Sequence, residues 1–262
     1  MSEIGLFATL FSIGFIGAFL SGMLGLGGAI VLVPMLLYIP PMIGAYMLDM
    51  KEVAGITIIV VFASSLSALF IHKRNRLVLK SLALVMGISA VLASFFGALY
   101  SKHTSSAVLL LIFACMASFA AIIMFLPKRE QGDDIALEDI RFNKKLAFII
   151  AMTVGFIGGM VGAPGAYIFT PLMIYFLKIP TKVAIGSTMG IVFLASISGT
   201  AGKLLTGQVP YLMSAAVVAG AVPAARLGAL LTKRVPANTL RKVLALIIAF
   251  AAARMWLDVL VK

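Results

Sequence analysis

Apolar residues run along the chain in eight long blocks, at about 4–48, 53–71, 78–100, 105–126, 146–179, 183–205, 208–231 and 238–260, separated by short polar turns. A helix needs ~20 mostly apolar residues to cross a bilayer. Six blocks therefore predict simple single spans. The other two, 4–48 and 146–179, are too long for one crossing, and each is interrupted by glycines and then proline, which a straight helix interior accommodates only at a cost. The one long polar stretch, 127–145, contains KREQGDD and LEDIR and divides four blocks from four. The pattern predicts an all-α polytopic membrane protein, with a membrane repeat at 1–126, a cytoplasmic linker at 127–145 and a second membrane repeat at 146–262.

The halves resemble each other. An offset of 137 residues places GMLGLGGAIVLVP (Gly22–Pro34) on GMVGAPGAYIFTP (Gly159–Pro171), matching Gly22, Met23, Gly25, Gly28, Ala29 and Pro34 with Gly159, Met160, Gly162, Gly165, Ala166 and Pro171. An offset of 131 places SLSA (Ser65–Ala68) on SISG (Ser196–Gly199) and GALYSK (Gly97–Lys102) on GALLTK (Gly228–Lys233). Similar offsets recurring in order mark an internal repeat.

Charge sets the orientation of the copies. If each broken block returns to its side of entry as a re-entrant pair of half-helices, three full spans remain per copy, and an odd number inverts the second copy. With both termini outside, the inner loops 72–80, 127–145, 178–182 and 232–242 hold 15 Lys and Arg, against 5 in the outer segments. That asymmetry fits the positive-inside rule and an inverted-topology repeat. Two short tilted helices in place of each re-entrant pair give the same topology, and the sequence leaves both open.

Composition narrows the class. The chain is 62% apolar and 11% charged, with a mean hydropathy of +1.15. Soluble domains are nearer 45–50% apolar and about 25% charged, so too little polar surface remains for a water-soluble globule or a nucleic-acid binder. The net charge of +12 sits in loops between apolar blocks, where it orients the chain and meets anionic lipid. Cys115 is the single cysteine, which excludes an internal disulfide and a multi-cysteine metal site. The start, MSEIGLFATL, has no basic region and is not read as a cleaved signal peptide.

The broken blocks carry the chemistry. Non-helical backbone at membrane depth persists only where protein packs on it or a wet cavity lies beside it. Gly25, Gly27 and Gly28 in the first copy, and Gly162, Pro164 and Gly165 in the second, are thus expected to line a central site. Half-helices starting near Gly28 and Gly165 would aim unpaired N–H groups and a positive dipole end at the occupant, which favours an anion. The alternative is close helix packing by small residues.

The acids point the same way. Glu3, Asp49, Glu52, Glu130, Asp133, Asp134, Glu138, Asp139 and Asp258 all lie at ends or in loops, whereas cation carriers and proton relays hold acids within spans. Arg226 lies inside a span, with anion binding and snorkelling to the inner interface both open. His72 and Lys203, at matching positions, read as interfacial anchors. Thr57, Ser65, Ser187, Thr188 and Ser196 are candidate hydroxyl donors to an oxyanion, although membrane-helix hydroxyls also bond their own helix carbonyls.

These paired G-x-x-G-x-G-G-like segments before a proline, the A-x-x-[TS] stretches at Ala54–Thr57 and Ala184–Ser187, and the GAL-x-[ST]-K ends resemble the sulfite exporter TauE/SafE family over nearly the whole chain. The resemblance implies a plasma-membrane carrier that moves sulfite or organosulfonates outward. Pro164 stands where the first copy has Gly27, so the half-sites need not be equivalent.

The expectation is a multi-pass protein of the cell membrane, both termini outside, acting as a secondary transporter of a small oxyanion by alternating access around a midplane site, with a passive anion channel as the alternative. Its expected partners are the anion, membrane lipid and a possible second copy. No cofactor, bound metal or nucleic acid is expected. Without a buried acid, a metal cluster or a GxxxxGK[ST] motif, neither an intramembrane enzyme nor a self-contained ATP-driven pump is expected.

Overall fold

The computed structural model describes residues 3–24, 28–75, 77–125, 137 and 140–261. Within them ten α-helices follow in order: α1 (Glu3–Leu24), α2 (Ala29–Met42), α3 (Met50–Arg74), α4 (Lys80–Tyr100), α5 (Ser106–Phe125), α6 (Lys144–Met160), α7 (Ala166–Tyr175), α8 (Thr181–Leu205), α9 (Tyr211–Thr232) and α10 (Ala237–Val261). Local chemistry sets several starts. Asp49 and Glu52 form a reciprocal capping box on α3, Asn143 accepts from Leu146 N–H at the head of α6, and Pro180 and Pro210 precede α8 and α9. Most of the connector expected at 127–145 lies outside the described residues.

Among the described residues six helices are long and apolar enough to cross a membrane: 4–24, 50–74, 80–103, 106–125, 181–205 and 211–232. The number matches the sequence expectation, but one member differs. The block 238–260 forms α10, which is not among these six, while the first part of the broken 4–48 block is. Of the forms left open for that block, the structure has a full-length helix followed by a short one.

The most extensive contacts join helices from different halves: α1 with α9, α4 with α6 and α8, and α3 with α9 and α8. α5 packs on α10. Glycine makes the tightest of these possible. A methyl on Gly14 or Gly22 would strike the carbonyls of Val217 and Ala225, so α1 and α9 run parallel with backbones in contact. Gly155 and Gly159 meet Ala90 and Ser94 in the same sense, which makes α6 parallel to α4. Such approach gives dispersion and carbonyl contacts where lipid removes the hydrophobic drive.

Ser67 donates to Val222 O (3.0 Å) and Ser198 to Val91 O (2.7 Å), so α3 runs with α9 and α8 with α4. By contrast α3 and α8 are antiparallel. Ile58 meets Gly199, Leu69 meets Gly190, and the Phe62 and Phe193 rings stack with centroids 5.7 Å apart between them. On α4, Leu84, Ile88, Leu92, Phe96 and Tyr100 are all exposed. An apolar stripe of this length repeating every fourth residue suits acyl chains, not water.

Candidate functional site

Both broken blocks fold as helix, tight turn, short helix. α1 ends at Leu24, and α2 begins behind Gly28 at φ +81°. α6 ends at Met160, and α7 begins behind Gly165 at φ +76°, with Gly162 at φ +72° between them. These left-handed conformations are why glycine stands there. Gly22 and Gly159, by contrast, are packing glycines set against neighbouring backbone. The duplicated motif therefore does two jobs. Gly25 and Gly27 lie outside the described residues.

Neither short helix has a side-chain cap at its start. Val31 and Leu32 N–H close on Gly28 O, and Ile168 and Phe169 N–H on Gly165 O. That leaves the N–H groups of Ala29, Ile30, Ala166 and Tyr167 without an intrahelical acceptor, at the positive end of each dipole. Pro164 in the second turn has no N–H to satisfy, and Ala163 N–H returns to Gly158 O at 2.9 Å.

The carbonyl end of each preceding helix is treated oppositely. At the end of α1, His72 Nε2 lies 2.9 Å from Gly22 O, and Thr232 Oγ1 donates to Met23 O at 2.8 Å. At the end of α6, Lys203 Nζ donates to Met160 O (3.0 Å), Ser101 Oγ (2.7 Å) and Gln208 Oε1 (2.9 Å). His72 and Lys203 are both fully buried. The expectation that they anchor at the interface is therefore corrected: each caps a buried helix C-terminus, where a cation or N–H donor offsets the negative dipole end. Ser101, Thr232 and Gln208 were not anticipated as partners, although Ser101 and Thr232 occupy the same place in GALYSK and GALLTK.

The breaks do not face each other at mid-depth. Gly162 abuts Ala54, and His72, eighteen residues further along α3, contacts Gly22. At 1.5 Å per residue the two turns are about 27 Å apart along the helix axis. α1 and α6 are long enough to carry their turns toward opposite ends of the bundle.

The candidate hydroxyls are buried and bonded. Thr57 donates to Val53 O (2.8 Å), Ser65 to Phe62 O (3.2 Å) and Ser196 to Phe193 O (2.8 Å). Thr188 bonds Ala184 O (2.8 Å) and pairs with Thr170 (3.0 Å), while Ser187 Oγ accepts Leu79 N–H (2.9 Å). Arg226 is exposed on α9. Arg226→Gln is accordingly expected to change anion affinity by less than about twofold, since an exposed charge is screened by solvent and headgroups; equilibrium binding of a labelled sulfonate checks this. At the α3 N-terminal end, a cavity of about 410 Å³ is lined by Tyr46, Asp49, Lys51, Glu52, Gly207, Gln208, Val209 and Pro210. Gln208 links it to Lys203.

Six membrane-length apolar helices among the described residues, with two glycine-marked helix breaks, define a multi-pass membrane protein. Residues 10–255 match the family described as Sulfite exporter TauE/SafE, and the chain belongs to that family. It is 25% identical to the probable membrane transporter protein YunE of Bacillus subtilis, over 95% of this chain and 97% of that one. It is 28% identical to the probable membrane transporter protein MJ0441 of Methanocaldococcus jannaschii, over 76% and 73% of the two chains. A probable membrane transporter protein of Xylella fastidiosa is 26% identical over 96% and 95%. No solved structure matches the chain. Family and relatives indicate a membrane transporter rather than an enzyme.

Proposed function

We propose that this protein is a secondary carrier of a small oxyanion, sulfite or an organosulfonate, which it exports across the cell membrane by alternating access between two inverted copies, residues 1–126 and 146–262. The observation that carries the reading is the charge pattern at the breaks. At each one a carbonyl of the negative helix end is met by a basic side chain, joined at the first by the Thr232 hydroxyl, while the positive end that follows has no side-chain cap. What remains uncompensated is positive, and it suits an anion.

Inversion is supported by the packing. Exchanging the halves turns the α1 and α9 contact into the α6 and α4 contact, and the equivalent helices α3 and α8 run antiparallel. With the termini outside, the His72 break lies toward the cytoplasm and the Lys203 break toward the exterior. The substrate path runs between them along α3 and α8, past the mid-depth Ser65, Ser196 and the Phe62–Phe193 stack.

Proteoliposomes offered labelled sulfite and a panel of sulfonates test this. Saturable flux, competed by related oxyanions, is expected. Absence of saturable flux for every member overturns the reading, and single-channel currents far above carrier turnover replace it with an anion channel.

A further inference from the structure

Resting on the carrier reading above, we propose that Lys203 is a tethered cation filling a primary-ammonium site at the α6–α7 break, where a broken-helix carrier would bind a free coupling ion. Anion flux then needs no alkali cation. In carriers built on discontinuous helices, the carbonyl end of a half-helix is where the coupling cation is held. Met160 is the last residue of α6. In a continuing helix its carbonyl would accept from residue 164, which is Pro164 and has no N–H. Lys203 Nζ takes that place, donating to Met160 O at 3.0 Å.

The cage around Nζ is made of neutral oxygens. Besides Met160 O, Nζ donates to Ser101 Oγ (2.7 Å) and Gln208 Oε1 (2.9 Å). Ser101 Oγ itself donates to Ala98 O at 2.6 Å, and Gln208 Nε2 donates to Thr206 Oγ1 at 2.7 Å, so each presents a lone pair to Nζ. Three acceptors around one nitrogen call for three N–H donors, which an ammonium has and a neutral amine lacks. The geometry therefore describes a fully buried charge held by oxygens that would serve a free cation equally well.

The cage also has an entrance. Gln208 accepts from Nζ and lines the cavity of about 410 Å³ together with Tyr46, Asp49, Lys51 and Glu52. Two carboxylates and a phenol beside one lysine favour entry of small cations.

Full-length K203A removes the ammonium and the alkyl stem beyond Cβ, and n-propylammonium returns the same atoms as a free molecule. The variant is extracted in detergent with n-propylammonium, and its unfolding midpoint is followed as the amine is withdrawn and restored. The midpoint is expected to rise saturably, by roughly 2–6 °C at about ten times the dissociation constant. Tetramethylammonium, of equal charge but without N–H, is expected to leave it unchanged. Equal shifts with both ions, no shift with either, or failure of K203A to fold even in the amine overturns the cage.

Proteoliposomes of the wild type separate this assignment from the carrier reading and do not depend on any variant folding. Replacing Na⁺ and K⁺ by N-methylglucamine on both sides is expected to leave methanesulfonate flux unchanged. Loss of flux on that replacement overturns the tethered cation and leaves the carrier standing. Absence of saturable flux in every medium refutes the carrier reading instead, and the melting of K203A then decides the cage by itself.

Discussion

Gly162→Ala is expected to destabilise the protein by about 2–5 kcal/mol, combining a left-handed backbone penalty of about 1–2 kcal/mol with overpacking of about 1–3 kcal/mol. The added methyl has nowhere to go, because the backbone of Ala54 on α3 lies against Gly162. Gly28→Ala is the control within the same molecule. It shares the positive φ, but its nearest neighbour is the flexible Leu32 Cδ1 at 3.1 Å, so only the backbone penalty of about 1–2 kcal/mol is expected. Unfolding midpoints of the two variants in one detergent compare them directly. Equal losses would mean that the second turn does not press on α3 as described.

Replacing Lys203 by Met has the next largest expected effect. The thioether fills similar space but strands Met160 O at the end of α6 and deprives Ser101 and Gln208 of their shared donor. At about 1–3 kcal/mol for each orphaned buried group, offset by re-pairing of Ser101 with Gln208, a loss of about 2–4 kcal/mol follows. Lys203→Arg is not expected to rescue it, because a planar fork cannot direct protons at three acceptors arranged around one nitrogen. Thermal unfolding and anion flux are both expected to fall. A stable, active Lys203→Met protein would show that the ammonium is not needed to hold the turn.

Much of the fold was legible in the sequence because bilayer thickness converts apolar length directly into helices. All six simple blocks, 53–71, 78–100, 105–126, 183–205, 208–231 and 238–260, appear as α3, α4, α5, α8, α9 and α10 with ends shifted by a few residues. Both chain breaks fall where glycine and proline placed them. Their depth was not legible, since a glycine motif marks a turn without saying how far the preceding helix has already travelled.

The capping role of His72 and Lys203 was missed for a different reason. A basic residue two positions from a helix end looks interfacial until the chain that covers it is known, and that chain comes from α1 for His72 and from α6 and the turn after α4 for Lys203. The matching offset of 131 residues that links His72 to Lys203 and Ser101 to Thr232 was the available signal. The hydroxyls present the reverse case. Thr57, Ser65, Thr188 and Ser196 are buried on α3 and α8, but spacing alone cannot distinguish a donor awaiting a ligand from one satisfied by its own helix.

The glycine-lined seams between α1 and α9, and between α4 and α6, have a mechanical consequence. They join the first sequence half to the second through bare backbone, so any side chain larger than hydrogen at Gly14, Gly22, Gly155 or Gly159 acts as a wedge that pries the two halves apart.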